Sequence, residues 1–217
     1  MKSFQVILSA SLLLASVACG GRGDGDKADV KPAVETPAAE RVDSSGHVSY
    51  RPDSMQVFQA VPQSQDSTFI VISKYELRLY VMQAIGGDTT VLARFPVCLS
   101  RNKGPKQKSG DMRTPETQSG QPFVIQEIVP ASDWEHDFGD GRGKIRAYGN
   151  WFMGLKTPFS GIGIHGSTNN EDKMPGRDSE GCIRLRDADL DYLKEHYAYV
   201  GMPVYIENEQ GERQVNR

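Results

Sequence analysis

The apolar positions of this chain fall into short β-favouring runs separated by turns rich in Gly, Pro and polar residues. Residues 69–72 and 77–82 are two such runs, split by Ser73-Lys74-Tyr75-Glu76, and read as a hairpin. Gly86-Gly87-Asp88 is a second turn, leading into a strand over 90–99. Pro96 predicts that this strand is bulged or at an edge, because proline donates no ladder hydrogen bond. Residues 123–129 form another strand, 145–155 hold one or two, and 161–165 and 204–207 complete the set. Only one segment is helical by period. Asp187 is placed to cap it, and Leu190, Leu193 and Tyr197 make the buried stripe at i, i+3 and i+7, with Gly201 and Pro203 to stop it. The pattern predicts a mainly β domain, a compact barrel or sandwich with one clear short helix.

The first quarter of the chain has a different pattern. Lys2 precedes an apolar, serine-tolerant run over 6–18, shorter than the about 20 residues of a membrane-spanning helix and suited to an export signal. It ends in Ser16-Val17-Ala18-Cys19-Gly20, which resembles a lipoprotein processing site, so Cys19 becomes the lipidated first residue. The alternative is ordinary cleavage with Cys19 incidental. Residues 20–53 are Gly, Asp, Lys, Pro, Ala and Glu with few large apolar side chains, too little to offset the entropy of ordering, and His47 there reads as solvated. The expected division is a signal peptide over 1–18, a lipid-anchored disordered tether over 19–55 and a folded domain over 56–217. The expected location is the cell envelope or periplasm, at a membrane held through Cys19. About 150 residues make one domain with one core.

The formal net charge is −3 with both signs interspersed, which argues against nucleic acid as a partner. No His-Glu-x-x-His pattern, paired-cysteine spacing or phosphate-binding glycine loop occurs, so neither metal nor cofactor is expected. His136, in Asp133-Trp134-Glu135-His136-Asp137, reads as part of a surface loop that could flank a groove. His196 reads as a helix-end histidine.

The chemistry concentrates in 161–185, GIGIHGSTNNEDKMPGRDSEGCIRL. His165 closes an apolar, glycine-punctuated strand, and Cys182 follows in Ser179-Glu180-Gly181-Cys182-Ile183-Arg184-Leu185. A thiol becomes a nucleophile when an imidazole can hold its proton. Gly181 allows a sharp turn that exposes the Cys182 N–H to an oxyanion. Arg184, two residues on, shares the face of Cys182 on a strand, where it holds either a substrate carboxylate or a structural salt bridge. Tyr148 is either a second oxyanion donor or a core aromatic. Ser179 organises the turn before Gly181 and stands with Arg184 and Tyr148 on the substrate side. A Cys98–Cys182 disulfide is the competing use of the thiol. Cys98, in Phe95-Pro96-Val97-Cys98-Leu99, reads better as a small core residue.

Gly163-Ile164-His165-Gly166 followed by Ser179-x-Gly181-Cys182-Ile183-Arg184-Leu185 resembles the signature of the L,D-transpeptidase catalytic domain. Lys103-Gly104-Pro105-Lys106, Gly110-Asp111-Met112-Arg113-Thr114-Pro115-Glu116 and Gly154-Leu155 are similar to that domain too, and the resemblance runs from about Thr68 to Glu207. Two departures stand out: Glu180 where many members have His, and the extra segment 117–121. The resemblance implies a compact β-barrel or sandwich-like catalytic domain acting on peptidoglycan stem peptides. In it Cys182 attacks a carbonyl at an L-centre, expels a terminal D-residue and forms a thioester, while the Gly166 carbonyl orients His165. An amine from a second stem resolves the thioester into a cross-link. The alternatives are a hydrolytic L,D-carboxypeptidase or endopeptidase on the same scaffold, and a wall-binding lipoprotein without turnover, which would need neither Cys182 nor His165.

Overall fold

A computed structural model describes residues 54–118 and 120–211, and the backbone alone of 41–42 and 48–49. The expected signal peptide, Cys19, His47 and most of the expected tether lie outside the described residues. β1 (Arg41–Val42) and β2 (Val48–Ser49) form a two-residue antiparallel pair. The domain follows with β3 (Gln56–Val57), β4 (Thr68–Ser73), β5 (Arg78–Ile85), β6 (Asp88–Pro96), β7 (Cys98–Ser100) and β8 (Phe123–Pro130). Next come β9 (Glu135–Asp137), β10 (Lys144–Arg146), β11 (Trp151–Lys156), β12 (Gly163–His165), β13 (Gly176–Ser179) and β14 (Ile183–Arg184). The helix α1 (Asp187–His196) and β15 (Pro203–Ile206) end it. Eleven strands make one mixed sheet in the order β13-β7-β14-β12-β11-β8-β15-β4-β5-β6-β3, and β9 pairs with β10 apart from it. The domain is mainly β with one α-helix, as the pattern predicts.

The β4–β5 hairpin and the Gly86–Gly87 turn stand where the sequence places them. Both glycines take positive φ, 62° and 94°, which suits a tight two-residue hairpin turn. The strand over 90–99 is instead cut at Val97. Pro96 ends the β5–β6 ladder, the Val97 N–H bonds the Leu77 carbonyl at 3.1 Å, and the Val97 carbonyl accepts from Gly176 N at 3.2 Å. The chain changes neighbours there, and β7 pairs with β13 and β14. The helix begins at Asp187, so Asp187 is its first residue rather than its cap; Leu190, Leu193 and Tyr197 are all buried, as the stripe requires. One core draws Ile70 and Ile72 from β4, Leu79 and Val81 from β5, Ile164 from β12 and Ile183 from β14, so both halves of the sheet face one interior. Each such side chain contributes roughly 1.5–3 kcal/mol.

Between β7 and β8 the chain runs as a strap without regular structure, and a buried lysine fastens it. Lys74 Nζ donates to Gly104 O at 3.0 Å, Thr114 O at 2.7 Å and Glu116 Oε1 at 2.9 Å. Burial pushes its pKa down, against the Glu116 and Glu209 carboxylates that hold it charged. Lys74→Met would leave two carbonyls and a carboxylate without their donor. The expected loss is about 3–5 kcal/mol, as for other buried pairs broken on one side. Urea denaturation of both proteins measures it, and a loss below about 1 kcal/mol would show that the strap is held by other contacts.

Candidate active site

Parallel pairing of β12 with β14 builds the site. Ile164 lies opposite Ile183 and His165 opposite Arg184. Both isoleucines are fully buried in the core, so the alternation of a strand turns their neighbours, His165, Cys182 and Arg184, to the other face. There the three line one cavity of about 570 Å³, whose wall also includes Lys106, Tyr148 and Glu180. Gly163 faces the same side, and a Cβ on it would meet Phe152 Cζ at 2.4 Å, so its bare backbone makes room for that ring against His165.

The turn that presents Cys182 is built from Ser179 and Gly181. Ser179 Oγ donates to the Cys182 carbonyl at 2.6 Å and accepts from Gly181 N at 3.3 Å. The Ser179 hydroxyl thus organises the turn, as its sequence position suggests, and the residue also lines the cavity. Gly181 has φ +145°, and a Cβ there would sit 3.0 Å from the Arg113 carbonyl. Both facts demand glycine.

His165 is almost fully buried, and its Nδ1 lies 2.8 Å from the Gly166 carbonyl. A carbonyl only accepts, so Nδ1 carries the hydrogen and Nε2 the lone pair. Burial, with the cationic Arg184 and the neighbouring His136, outweighs that bond and pulls the imidazole down to about 3. The Cys182 thiol does not bond the imidazole, as a catalytic pair would lead one to expect; it donates to the Gly161 carbonyl at 3.2 Å. Burial pushes it up to about 11, against the lowering effect of a Gly163 backbone hydrogen bond and of Arg184 and Lys106. Both groups are neutral at pH 7, because the same enclosure disfavours either charge.

Alkylation should report this directly. The thiolate fraction at pH 7 is on the order of 10⁻⁴ for a pKa near 11 and a few per cent for an ordinary thiol near 8.5. Iodoacetamide labelling of Cys182 should therefore be slow at neutral pH and climb steadily to about pH 11. A plateau reached near or below pH 8.5 would mean that the thiol is ion-paired with His165 in solution.

Arg184 is only 2% exposed. Its Nη2 donates to Cys98 Sγ at 3.1 Å and reaches Asp178 Oδ2 at 3.5 Å, while Nε and Nη1 are buried without a partner. Both cysteines are free thiols, with Cys98 buried as the sequence suggests. Tyr148 packs its ring 4.6 Å from the His165 ring, and burial, with the nearby Glu180 carboxylate, raises its hydroxyl pKa and keeps it a donor.

Lys106 and Asp187 were not singled out from sequence as site residues, whereas His136 was read as part of a loop that could flank a groove, and it lines the cavity. Lys106 lines the cavity, and its Nζ donates to Asp111 Oδ1 at 2.8 Å. Burial disfavours the Asp111 carboxylate, but the Gln107 N–H, the Lys106 ammonium and the Lys108 N–H outweigh it and hold its pKa below the usual range. The motif around these residues was visible, but not their pairing. His136, on the β9–β10 hairpin, comes within 3.4 Å of Glu180. Asp187 turns its carboxylate to the loop after His165, accepting from Ser167 N at 2.7 Å and Thr168 Oγ1 at 2.6 Å. Among the described residues no cluster of His, Cys, Asp and Glu could hold a metal ion.

Residues 67–206 match the L,D-transpeptidase catalytic domain (YkuD) family. The chain belongs to that family. No curated protein matches it. Among solved structures it is similar to Bd1075 of Bdellovibrio bacteriovorus (18% identity, 70% of this chain and 52% of that one, TM-score 0.47). It is also similar to an L,D-transpeptidase from Mycobacterium smegmatis (17%, 65% and 58%, 0.44). A third is the helical cell shape determining protein Pgp2 of Campylobacter jejuni (19%, 66% and 48%, 0.47). The chain spans about half the length of these proteins.

Proposed function

We propose that this domain is a peptidoglycan L,D-transpeptidase that works through a thioester on Cys182. The observation that carries the reading is the single cavity lined by a thiol, an imidazole with a free Nε2 and a buried guanidinium whose Nε and Nη1 have no partner. In the resting state the thiol is protonated, so attack and proton transfer go together. The thiol turns from the Gly161 carbonyl, gives its proton to His165 Nε2 and adds to the substrate carbonyl carbon. The Cys182 N–H and the Tyr148 hydroxyl hold the oxyanion, and Arg184 holds a substrate carboxylate. The C–N bond then breaks and the departing D-residue takes the proton from His165. The Gly166 carbonyl fixes the ring through Nδ1–H and stabilises the transient imidazolium. Tetrapeptide-stem muropeptides incubated with the protein and analysed by mass spectrometry test this. Cross-linked dimers support transfer, trimmed monomers alone support the hydrolytic alternative, and no change with no acyl adduct on Cys182 overturns the enzyme reading.

The lipid anchor is a further part of the proposal, supported by the sequence around Cys19. Among the described residues no helix is long and apolar enough to cross a membrane. Cys19→Ala should release folded domain into the soluble fraction, because the tether composition offers no core. Membrane retention of that variant, or an N-terminal peptide without lipid, would refute the anchor.

A further inference from the structure

His136 and Glu180 stand at the same cavity and have no part in the acylation chemistry above. His136 Nε2 lies 3.4 Å from Glu180 Oε1, with both side chains partly open to solvent. The imidazole is held edge-on between Phe138, at 4.7 Å between ring centres, and Tyr148, at 6.4 Å. Among the described residues no lysine or arginine pairs with the Glu180 carboxylate, and it is the one carboxylate that lines the cavity. It comes two residues before the nucleophile, close enough to act electrostatically on both Cys182 and the Tyr148 hydroxyl. The cavity is therefore polarised, with the cations Arg184 and Lys106 on its wall and one carboxylate beside Gly181.

The second half of an acyl transfer needs something the first half does not. A primary amine arrives as ammonium and cannot attack until it loses a proton. Arg184 and Lys106 repel an ammonium, and His165 is held neutral by burial next to a buried guanidinium, so it attracts none. We infer that Glu180, with His136 Nε2 beside its carboxylate, forms the acceptor subsite, in which that carboxylate receives a primary ammonium and takes one proton from it. This rests on the thioester reading above and adds to it the residues that receive the amine acceptor. The ammonium gives one proton to the Glu180 carboxylate, which releases it to solvent. The nitrogen lone pair forms a bond to the thioester carbonyl carbon, and the C–S bond breaks with its electrons returning to sulfur. The second proton lost by nitrogen passes through His165 Nε2 to that sulfur and restores the thiol.

Competition between two nucleophiles tests the subsite. The full-length protein is given a tetrapeptide-stem donor at pH 7 with a stem peptide carrying a free side-chain amine, largely ammonium, and hydroxylamine, largely neutral. Mass spectrometry reads the ratio of amide to hydroxamate. Glu180→Gln should lower that ratio at least tenfold, Glu180→Asp should restore part of it, and His136→Gln should lower it severalfold. A purely structural role would slow both products together and leave the ratio unchanged; an unchanged ratio overturns the inference. Intact-mass analysis of the wild type separates the other failure, because absence of any acyl adduct on Cys182 would overturn the thioester reading and the subsite with it.

Discussion

Cys182→Ser should reduce product formation on the order of 10³-fold or more while the domain stays folded. Replacing sulfur by oxygen changes little in size, and the hydroxyl can keep the bond to the Gly161 carbonyl that the thiol makes. The loss is chemical. A serine hydroxyl ionises far less readily than a thiol and depends on a strong base, and the base here is weak, with an imidazole pulled down to about 3. Behind it stands the Gly166 carbonyl and not a carboxylate, so little stabilises the imidazolium that serine chemistry would create. The measurement is the rate of dimer or trimmed monomer formation by mass spectrometry, with thermal unfolding as the control for folding. A variant with more than a tenth of wild-type activity would move the nucleophile elsewhere.

The strands that carry apolar side chains to the core were legible in the sequence, because burial of one face writes a period into the residues. That holds for β4, β5, β8 and β15 and for the stripe of α1. β9 (Glu135–Asp137) and β13 (Gly176–Ser179) were not legible: each is short and polar, and their pairing is set by the strands they meet. The cut at Val97 was half-visible. Pro96 signalled a disturbance, but only the tertiary arrangement shows the chain leaving β5 for β13 and β14.

At the site, Cys182 and His165 stood out because their residue types and glycine surroundings are informative locally, and the structure brings them to one cavity. The state of the thiol was not legible. A motif suggests a hydrogen-bonded pair, whereas enclosure leaves both groups neutral and turns the sulfur to the Gly161 carbonyl. Nor did sequence distance show that Glu180 meets His136, or that the carboxylate of Asp187 serves the loop after His165 and not the helix end.

Gly166→Ala should destabilise the domain and disable the site together. Gly166 and Gly149 lie back to back, drawn together by Gly166 N donating to the Tyr148 carbonyl at 2.6 Å. A Cβ at Gly166 would fall 2.3 Å from Asp187 Oδ1 and 2.6 Å from Gly149 Cα. The carboxylate cannot swing away freely, since it holds Ser167 N and Thr168 Oγ1, and Thr168 Oγ1 in turn accepts from Gly149 N at 3.1 Å. Relief must come from moving backbone, at a cost of about 1–3 kcal/mol or more for overpacking. Any such shift displaces the Gly166 carbonyl, which fixes the His165 ring through Nδ1 at 2.8 Å. Misplacing a base by about 1 Å can cost on the order of 10²-fold in rate. The expected result is a lower melting temperature together with a loss of turnover larger than the unfolded fraction explains, measured on the same preparation below its melting transition. Full turnover in a destabilised Gly166→Ala protein would show that the carbonyl does not position His165, and wild-type stability would show that the two loops can part without strain.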